Sequence, residues 1–75
     1  MPAAVPELAE RLTAARLRSR LSQAAVASLV GVHAGQVGRY ERGEQAPSKR
    51  VLRKLAKLYG IPIDELLALL TVDTQ

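Results

Sequence analysis

Apolar residues recur along this chain at the three- and four-residue spacing of α-helices. Leu8, Leu12 and Ala15 form one such series, and a second series runs from Val51 to Tyr59. This spacing places apolar side chains on one face of a helix, and nowhere does the chain show the strict alternation that is typical of a strand. The pattern therefore predicts an all-α fold built from short amphipathic helices.

Capping residues divide this pattern into five helices. Ser22 and Ser48 are favourable N-caps, and Gly31 and Gly60 are typical of the residue that follows a helix. The predicted helices span residues 6–19, 23–30, 34–42, 49–59 and 63–70. We expect residues 6–70 to form one domain, with flexible segments at residues 1–5 and 71–75.

Charge is distributed unevenly along the 75 residues. All eleven Lys and Arg lie between Arg11 and Lys57, where only two acidic residues occur, so this stretch carries a charge of +9. Five acidic residues in the flanks bring the net charge to +4. A basic middle favours a surface that binds a polyanion. A merely soluble, arginine-rich surface has the same composition.

Composition also excludes several classes of protein. The chain has no cysteine, and therefore no disulfide and no thiolate metal site. No apolar run approaches the ~20 residues of a membrane span. The sequence contains no set of nucleophile and base, no metal-binding cluster and no phosphate-binding loop, so we expect neither an enzyme nor a cofactor.

The segment from Gln23 to Arg42 has the pattern of two short helices packed across a tight turn at Gly31. It is accompanied by LSQ at 21–23, RYERG at 39–43, Pro47 followed by Ser48, and LAKLYGIPIDELL at 55–67. Together these motifs resemble the Cro/repressor-like (Xre-type) helix-turn-helix domain of phage repressors and many bacterial regulators. The resemblance covers Leu8 to Leu67 and implies a five-helix, lambda-repressor-like fold, double-stranded DNA as partner and a two-fold dimer.

The resemblance also assigns residues to DNA contacts. The helix at 34–42 would enter the major groove, with Arg39 as the best direct reader because arginine can bond guanine through two atoms. The base-contacting set is Ala34, Gly35, Gln36 and Arg39, and the phosphate-contacting set is Gln23, His33, Arg42, Lys49 and Arg50. Gly38 is expected on the same outer face. Two glycines in one short helix suggest an unusually close approach to the groove. The alternative is drift in a helix that its packing already holds.

Three structural expectations accompany this assignment. Arg16 and Glu41 should form a salt bridge, as the family often does at these positions. Arg20 stands where the family commonly has Gly or Asn, so the turn before the second helix should be strained or differently shaped. The last helix is more apolar than one buried face requires, which predicts a homodimer interface at Ile63, Leu66, Leu69, Leu70 and Val72. Internal packing of Leu66, Leu67 and Leu70 is the alternative.

The predicted function is a sequence-specific DNA-binding transcriptional regulator, most often a repressor, that binds a palindromic operator as a homodimer. Its expected location is the cytoplasm, in association with the nucleoid. The alternative is an antitoxin-like or coactivator-like module that uses the same fold to bind a protein, such as a toxin or an effector domain. The basic stretch and the lack of aromatic anchors argue against that alternative.

Overall fold

The computed structural model describes residues 6–70, and within them it contains five α-helices and no strand. The helices are α1 (Pro6–Arg18), α2 (Gln23–Val30), α3 (Ala34–Glu41), α4 (Lys49–Tyr59) and α5 (Ile63–Leu70). The predicted all-α class and number of helices are therefore confirmed. The flexible segments predicted at residues 1–5 and 71–75 lie outside the described residues.

Local capping sets the bounds of most helices. The side chain of Ser22 accepts a hydrogen bond from the N–H of Ala25 at 3.0 Å, and Ser48 accepts one from Val51 at 3.2 Å. These bonds satisfy N–H groups in the first turn that have no partner within the helix. The helices α2, α4 and α5 have the predicted bounds, whereas α1 and α3 each end one residue earlier than predicted.

Arg20 explains the early end of α1. It has φ +61°, and it is the one non-glycine with a positive φ among residues 6–70. The N–H of Leu21 reaches back to the carbonyl of Arg16 at 3.3 Å and closes the helix around it. A side chain in this left-handed region costs about 1–2 kcal/mol. The turn is strained, as its arginine predicts.

A single hydrophobic core joins all five helices. Leu8 and Leu66 are 0% exposed, and they bring α1 and α5 together. The helix α1 also packs against α3, while α4 packs against α2 and α5. The remaining core consists of aliphatic residues and one tyrosine: Leu12, Ala15, Val26, Ala27, Val30, Val37, Tyr40, Leu52, Leu55, Ala56 and Ile61. This arrangement holds α2 and α3 at one side of the molecule.

Two further findings apply to the part of the chain that the structure describes. No helix there combines the length and apolarity that crossing a membrane requires. No three His, Asp or Glu side chains in residues 6–70 are grouped closely enough to hold a metal ion.

Candidate nucleic-acid interface

The turn between α2 and α3 is short and closely bonded. The N–H groups of Gly31 and Val32 both donate to the carbonyl of Ala27, at 2.8 and 3.0 Å. Gly31 has φ +80°, a conformation that glycine adopts without steric penalty. Residues 31–33 alone connect the two helices, so the direction of α3 relative to α2 is set by this turn and by the packing behind it.

Packing against α2 decides which side of α3 faces solvent. Val37 and Tyr40 point into the core, where they meet the buried Val26, Ala27 and Val30 of α2. The opposite side of α3 exposes Ala34, Gly35 and Arg39. A Cβ atom placed on Gly35 would meet no heavy atom within 4 Å, so this side is open surface.

Gly38 does not belong to this outer face, contrary to the sequence-based expectation. It is buried, and a Cβ atom at this position would lie 2.9 Å from Nη1 of Arg42 and 3.5 Å from Oε1 of Gln23. The side chain of Arg42 folds back over it. Only Gly35 remains as a candidate for close approach to a groove.

Gln36 has a structural role that the sequence analysis missed. Its Oε1 accepts a hydrogen bond from the backbone N–H of His33 at 3.2 Å, while its own N–H donates to the carbonyl of His33 at 2.9 Å. A glutamine three residues after an N-cap is a recognised capping signal. The amide of Gln36 is therefore oriented by the first turn of α3, which leaves Ala34, Gly35 and Arg39 as the open side.

A largely buried ion pair ties α3 to α1. Nε of Arg16 donates to Oε2 of Glu41 at 2.7 Å, and Nη1 donates to the carbonyl of Leu21 at 2.9 Å. The two side chains are only 14% and 6% exposed. The structure thus contains the pair that the sequence predicts. The pair fixes the C-terminal end of α3 against the scaffold.

Gln23 joins the same network. Its Nε2 donates to Oε1 of Glu41 at 3.0 Å. The side chain predicted to contact a phosphate therefore already uses one N–H group inside the protein. Its backbone N–H lies in the first turn of α2, where N–H groups lack partners within the helix. The backbone N–H of Gln23 is therefore more available to bind a phosphate than its side chain is.

The pKa values reflect this network. The hydrogen bond from Arg16 to Glu41 raises the pKa of Arg16, so the guanidinium is charged at every accessible pH. The pKa of Tyr59 is raised to about 12, mainly by burial and secondly by the nearby Glu41, while Arg16 acts in the opposite direction. Tyr59, at the C-terminal end of α4, therefore lies close enough to Glu41 and Arg16 for their charges to affect its pKa.

Three of the predicted phosphate-contacting residues, Arg42, Lys49 and Arg50, flank the loop between α3 and α4. Lys49 and Arg50 are exposed in the first turn of α4. Arg42 is exposed too, but its guanidinium is paired with Glu44. Sequence reasoning assigned no role to Glu44.

The exposed side of α4 extends this basic surface. Arg53, Lys54 and Lys57 are all exposed. Nζ of Lys54 lies 3.9 Å from the position that a Cβ atom on Gly31 would occupy. Lys54 is thus placed beside the turn between α2 and α3.

The predicted dimer residues do not all face outward. Leu66 is 0% exposed and belongs to the core, so it cannot contact a second chain. Ile63, Leu69 and Leu70 are partly buried and lie at the edge of the core. Val72 lies outside the described residues. An ion pair at 2.6 Å between Arg11 and Glu65 further ties α5 to α1.

These elements define a helix-turn-helix protein with a repressor-like fold: five helices, a glycine turn and an outward-facing third helix. The chain belongs to the helix-turn-helix domain family, whose model matches residues 7–70. The resemblance to Cro/repressor-like proteins is thereby confirmed.

Individual proteins agree with this family. The chain is 42% identical, over 53 residues, to the transcriptional repressor RstR of cryptic phage CTXphi from Vibrio cholerae. The match covers 71% of this chain and 48% of RstR, so the chain spans about half the length of that curated relative.

Two solved structures are similar over most of both chains. The P22 c2 repressor, determined in complex with a synthetic operator, has a TM-score of 0.75 and 32% identity, with coverage of 79% of this chain and 89% of its own. The restriction-modification controller protein C.AhdI from Aeromonas hydrophila has a TM-score of 0.75 and 34% identity, with coverage of 83% and 90%. These proteins are regulators and not enzymes.

Proposed function

We propose that this chain binds double-stranded DNA in a sequence-specific manner and represses transcription as a homodimer. The observation that carries the proposal is the open outer side of α3. It is held in a fixed direction by α2 and by the Arg16–Glu41 pair, and it is bordered by exposed basic side chains. The similarity to RstR and to the operator-bound P22 c2 repressor supports it.

Arg39 is the residue that we propose reads a base. It is exposed on the open side of α3, and its planar guanidinium can donate two hydrogen bonds to O6 and N7 of guanine. Ala34 offers a methyl contact to thymine, and Gly35 allows the backbone to come close to the groove. Gln36 contributes at most through its amide N–H groups, because its Oε1 caps α3.

Contacts to phosphates position α3 in this proposal. Lys49 and Arg50 are exposed at the start of α4, and His33 is exposed at the start of α3. Gln23 contributes its backbone N–H, since N–H groups in the first turn of a helix favour anions. These contacts fix the register on the duplex and carry no sequence information themselves.

The proposed dimer places two copies of α3 on one side of the DNA. The partly exposed edge formed by Ile63, Leu69 and Leu70 is the surface that we propose pairs with its symmetry mate, together with Val72. A two-fold dimer of this kind reads half-sites about 34 Å apart, which requires a near-palindromic operator.

Selection of bound fragments from random DNA tests the proposal. The expected result is a palindromic consensus, with guanine at the position that loses its preference in an Arg39→Ala variant. That substitution should weaken binding to the selected site by about 1–3 kcal/mol. Arg18→Ala, at an exposed position in the last turn of α1, is the matched control and should leave the consensus unchanged.

Salt dependence provides a second readout. A dimer that neutralises about ten phosphates should show a slope near −9 in a plot of log affinity against log salt concentration. Absence of any enriched sequence would contradict the proposed specificity. A consensus without two-fold symmetry, or a monomer in sedimentation with and without DNA, would contradict the homodimer.

A further inference from the structure

The guanidinium of Arg42 is engaged by the next acidic residue along the chain. Its Nε donates to Oε2 of Glu44 at 2.7 Å, and its Nη2 donates to Oε1 at 3.2 Å. Both side chains are more than half exposed. This two-bond arrangement uses the fork of donors with which an arginine binds a phosphate.

The Arg42–Glu44 pair lies against Gly38 of α3. The third nitrogen, Nη1, lies 2.9 Å from the point where a Cβ atom on Gly38 would stand, and Oε1 of Gln23 lies 3.5 Å from the same point. Any side chain larger than hydrogen at position 38 would push against the guanidinium. Because Gly38 has no side chain, the guanidinium of Arg42 can lie directly against this position of α3.

We propose that Glu44 lowers the affinity of this domain for nucleic acid by holding Arg42 in a neutral pair. In this proposal Gly38, which has no side chain, leaves the space that the guanidinium of the pair occupies. The inference rests on the proposed function. It assigns to Glu44 a role in setting the strength of DNA binding. It also explains why position 38 is a glycine without requiring a close approach of α3 to a DNA groove.

Electrostatic interactions predict that the Arg42–Glu44 pair weakens binding to DNA. A paired Arg42 carries no net charge with its partner, so it releases few counterions when a phosphate approaches. To bind that phosphate, Arg42 must leave Glu44, and breaking an exposed pair of this kind weakens binding by up to about fivefold. Glu44 also repels the phosphate directly. Each of these contributions opposes binding.

The Arg42–Glu44 pair shifts the pKa of both of its members. The hydrogen bond from Arg42 lowers the pKa of Glu44, and the same bond raises the pKa of Arg42. Both residues are therefore charged at neutral pH, which the proposed competition requires.

A Glu44→Gln variant tests the proposal, because it keeps the shape of the side chain and removes its charge. The control is Glu10→Gln, an exposed position on α1 that changes the net charge equally. Binding is measured by fluorescence anisotropy on a labelled duplex of about 25 base pairs, long enough for two half-sites, over a range of salt concentrations. Melting curves establish that both variants are folded.

The expected result is binding about two- to fivefold tighter for Glu44→Gln than for the Glu10→Gln control. The slope of log affinity against log salt should become steeper by about 0.9 for each Arg42 that is released. In the DNA-free protein, an NMR titration should show the pKa of Glu44 rising in Arg42→Gln and in Gly38→Ala, since both changes remove or displace its partner.

Two outcomes would overturn the inference alone. One is Glu44→Gln binding no more tightly than the Glu10→Gln control; the other is a Glu44 pKa that does not change in Arg42→Gln. A parent protein that shows no salt-dependent binding to any duplex would instead refute the proposed function, and the inference with it. The two failures are therefore distinguishable.

Discussion

The substitution Glu41→Ala removes the acceptor that holds the end of α3. In the folded protein this side chain is 6% exposed and accepts hydrogen bonds from Nε of Arg16 at 2.7 Å and from Nε2 of Gln23 at 3.0 Å. Without it, Arg16 keeps a single hydrogen-bond acceptor, the carbonyl of Leu21. The variant therefore contains a cation that is largely removed from water and has lost its counter-charge.

The size of the effect follows from these contacts. A hydrogen bond between charged groups contributes about 1.5–3 kcal/mol, and a bond from a neutral amide adds about 1 kcal/mol. Because Arg16 retains one bond and 14% exposure, we expect a loss of about 2–4 kcal/mol in the free energy of unfolding. A domain of this size has roughly 3–10 kcal/mol in total. The midpoint of thermal unfolding should then fall by roughly 10–25 °C.

Thermal and urea unfolding, followed by circular dichroism, measure this loss. Glu44→Ala is the matched control, because it removes the same side chain three residues further on, from a pair that is more than half exposed. Because that pair is solvent-exposed, Glu44→Ala should leave the midpoint of thermal unfolding close to that of the parent protein. The reasoning is refuted if Glu41→Ala melts within a few degrees of Glu44→Ala.

Three further changes are predicted to have measurable effects. Gly35→Ala should stabilise the protein by about 0.5–1 kcal/mol, because its Cβ atom meets nothing within 4 Å and alanine restricts the unfolded chain. Arg20→Gly should stabilise it by about 1 kcal/mol, because glycine adopts a φ of +61° without strain. Tyr59 has a pKa raised to about 12, so its contribution to stability is complete below pH 10 and is lost as the pH rises from 10 to 12. Tyr59→Phe should reduce the loss of stability over that range, as measured by urea unfolding at each pH.

Each of these predictions has a result that contradicts it. A destabilised Gly35→Ala protein would mean that the outer side of α3 is not open. An unchanged melting temperature for Arg20→Gly would mean that the turn after α1 is unstrained. For Tyr59→Phe, the contradicting result is an alkaline loss of stability identical to that of the parent. Burial also raises the pKa of Tyr40, so Tyr40 contributes to the loss that remains.

The positions of the helices could be predicted because their signals are local. Serine caps, glycine ends and apolar spacing act within a few residues, so α2, α4 and α5 have the bounds that these signals predict. The ends of α1 and α3 differ by one residue, since Arg20 and Gly43 take positive φ values and close each helix earlier. The residue at which each of these helices ends depends on the hydrogen bonds within the turn that follows it.

The candidate site was predicted less completely, because side-chain partners depend on contacts between helices. The pair of Arg16 and Glu41 was inferred from the family resemblance and is present. The placement of Leu66 in the core was predicted only as the alternative to a dimer interface, since apolar spacing on a short helix does not distinguish a core position from an interface position. The capping bond of Gln36 was also missed, although its spacing from His33 is a local signal.

The amino-acid sequence by itself determined the five helices, the turn at Gly31 and the basic character of the middle of the chain, because these depend on neighbouring residues and on composition. Only the tertiary structure decided that Gly38 is covered, that Gln23 bonds Glu41 and that Arg42 is held by Glu44. The physical reason is that each of these depends on distances across helices and loops. Such distances are fixed when the core packs and not before.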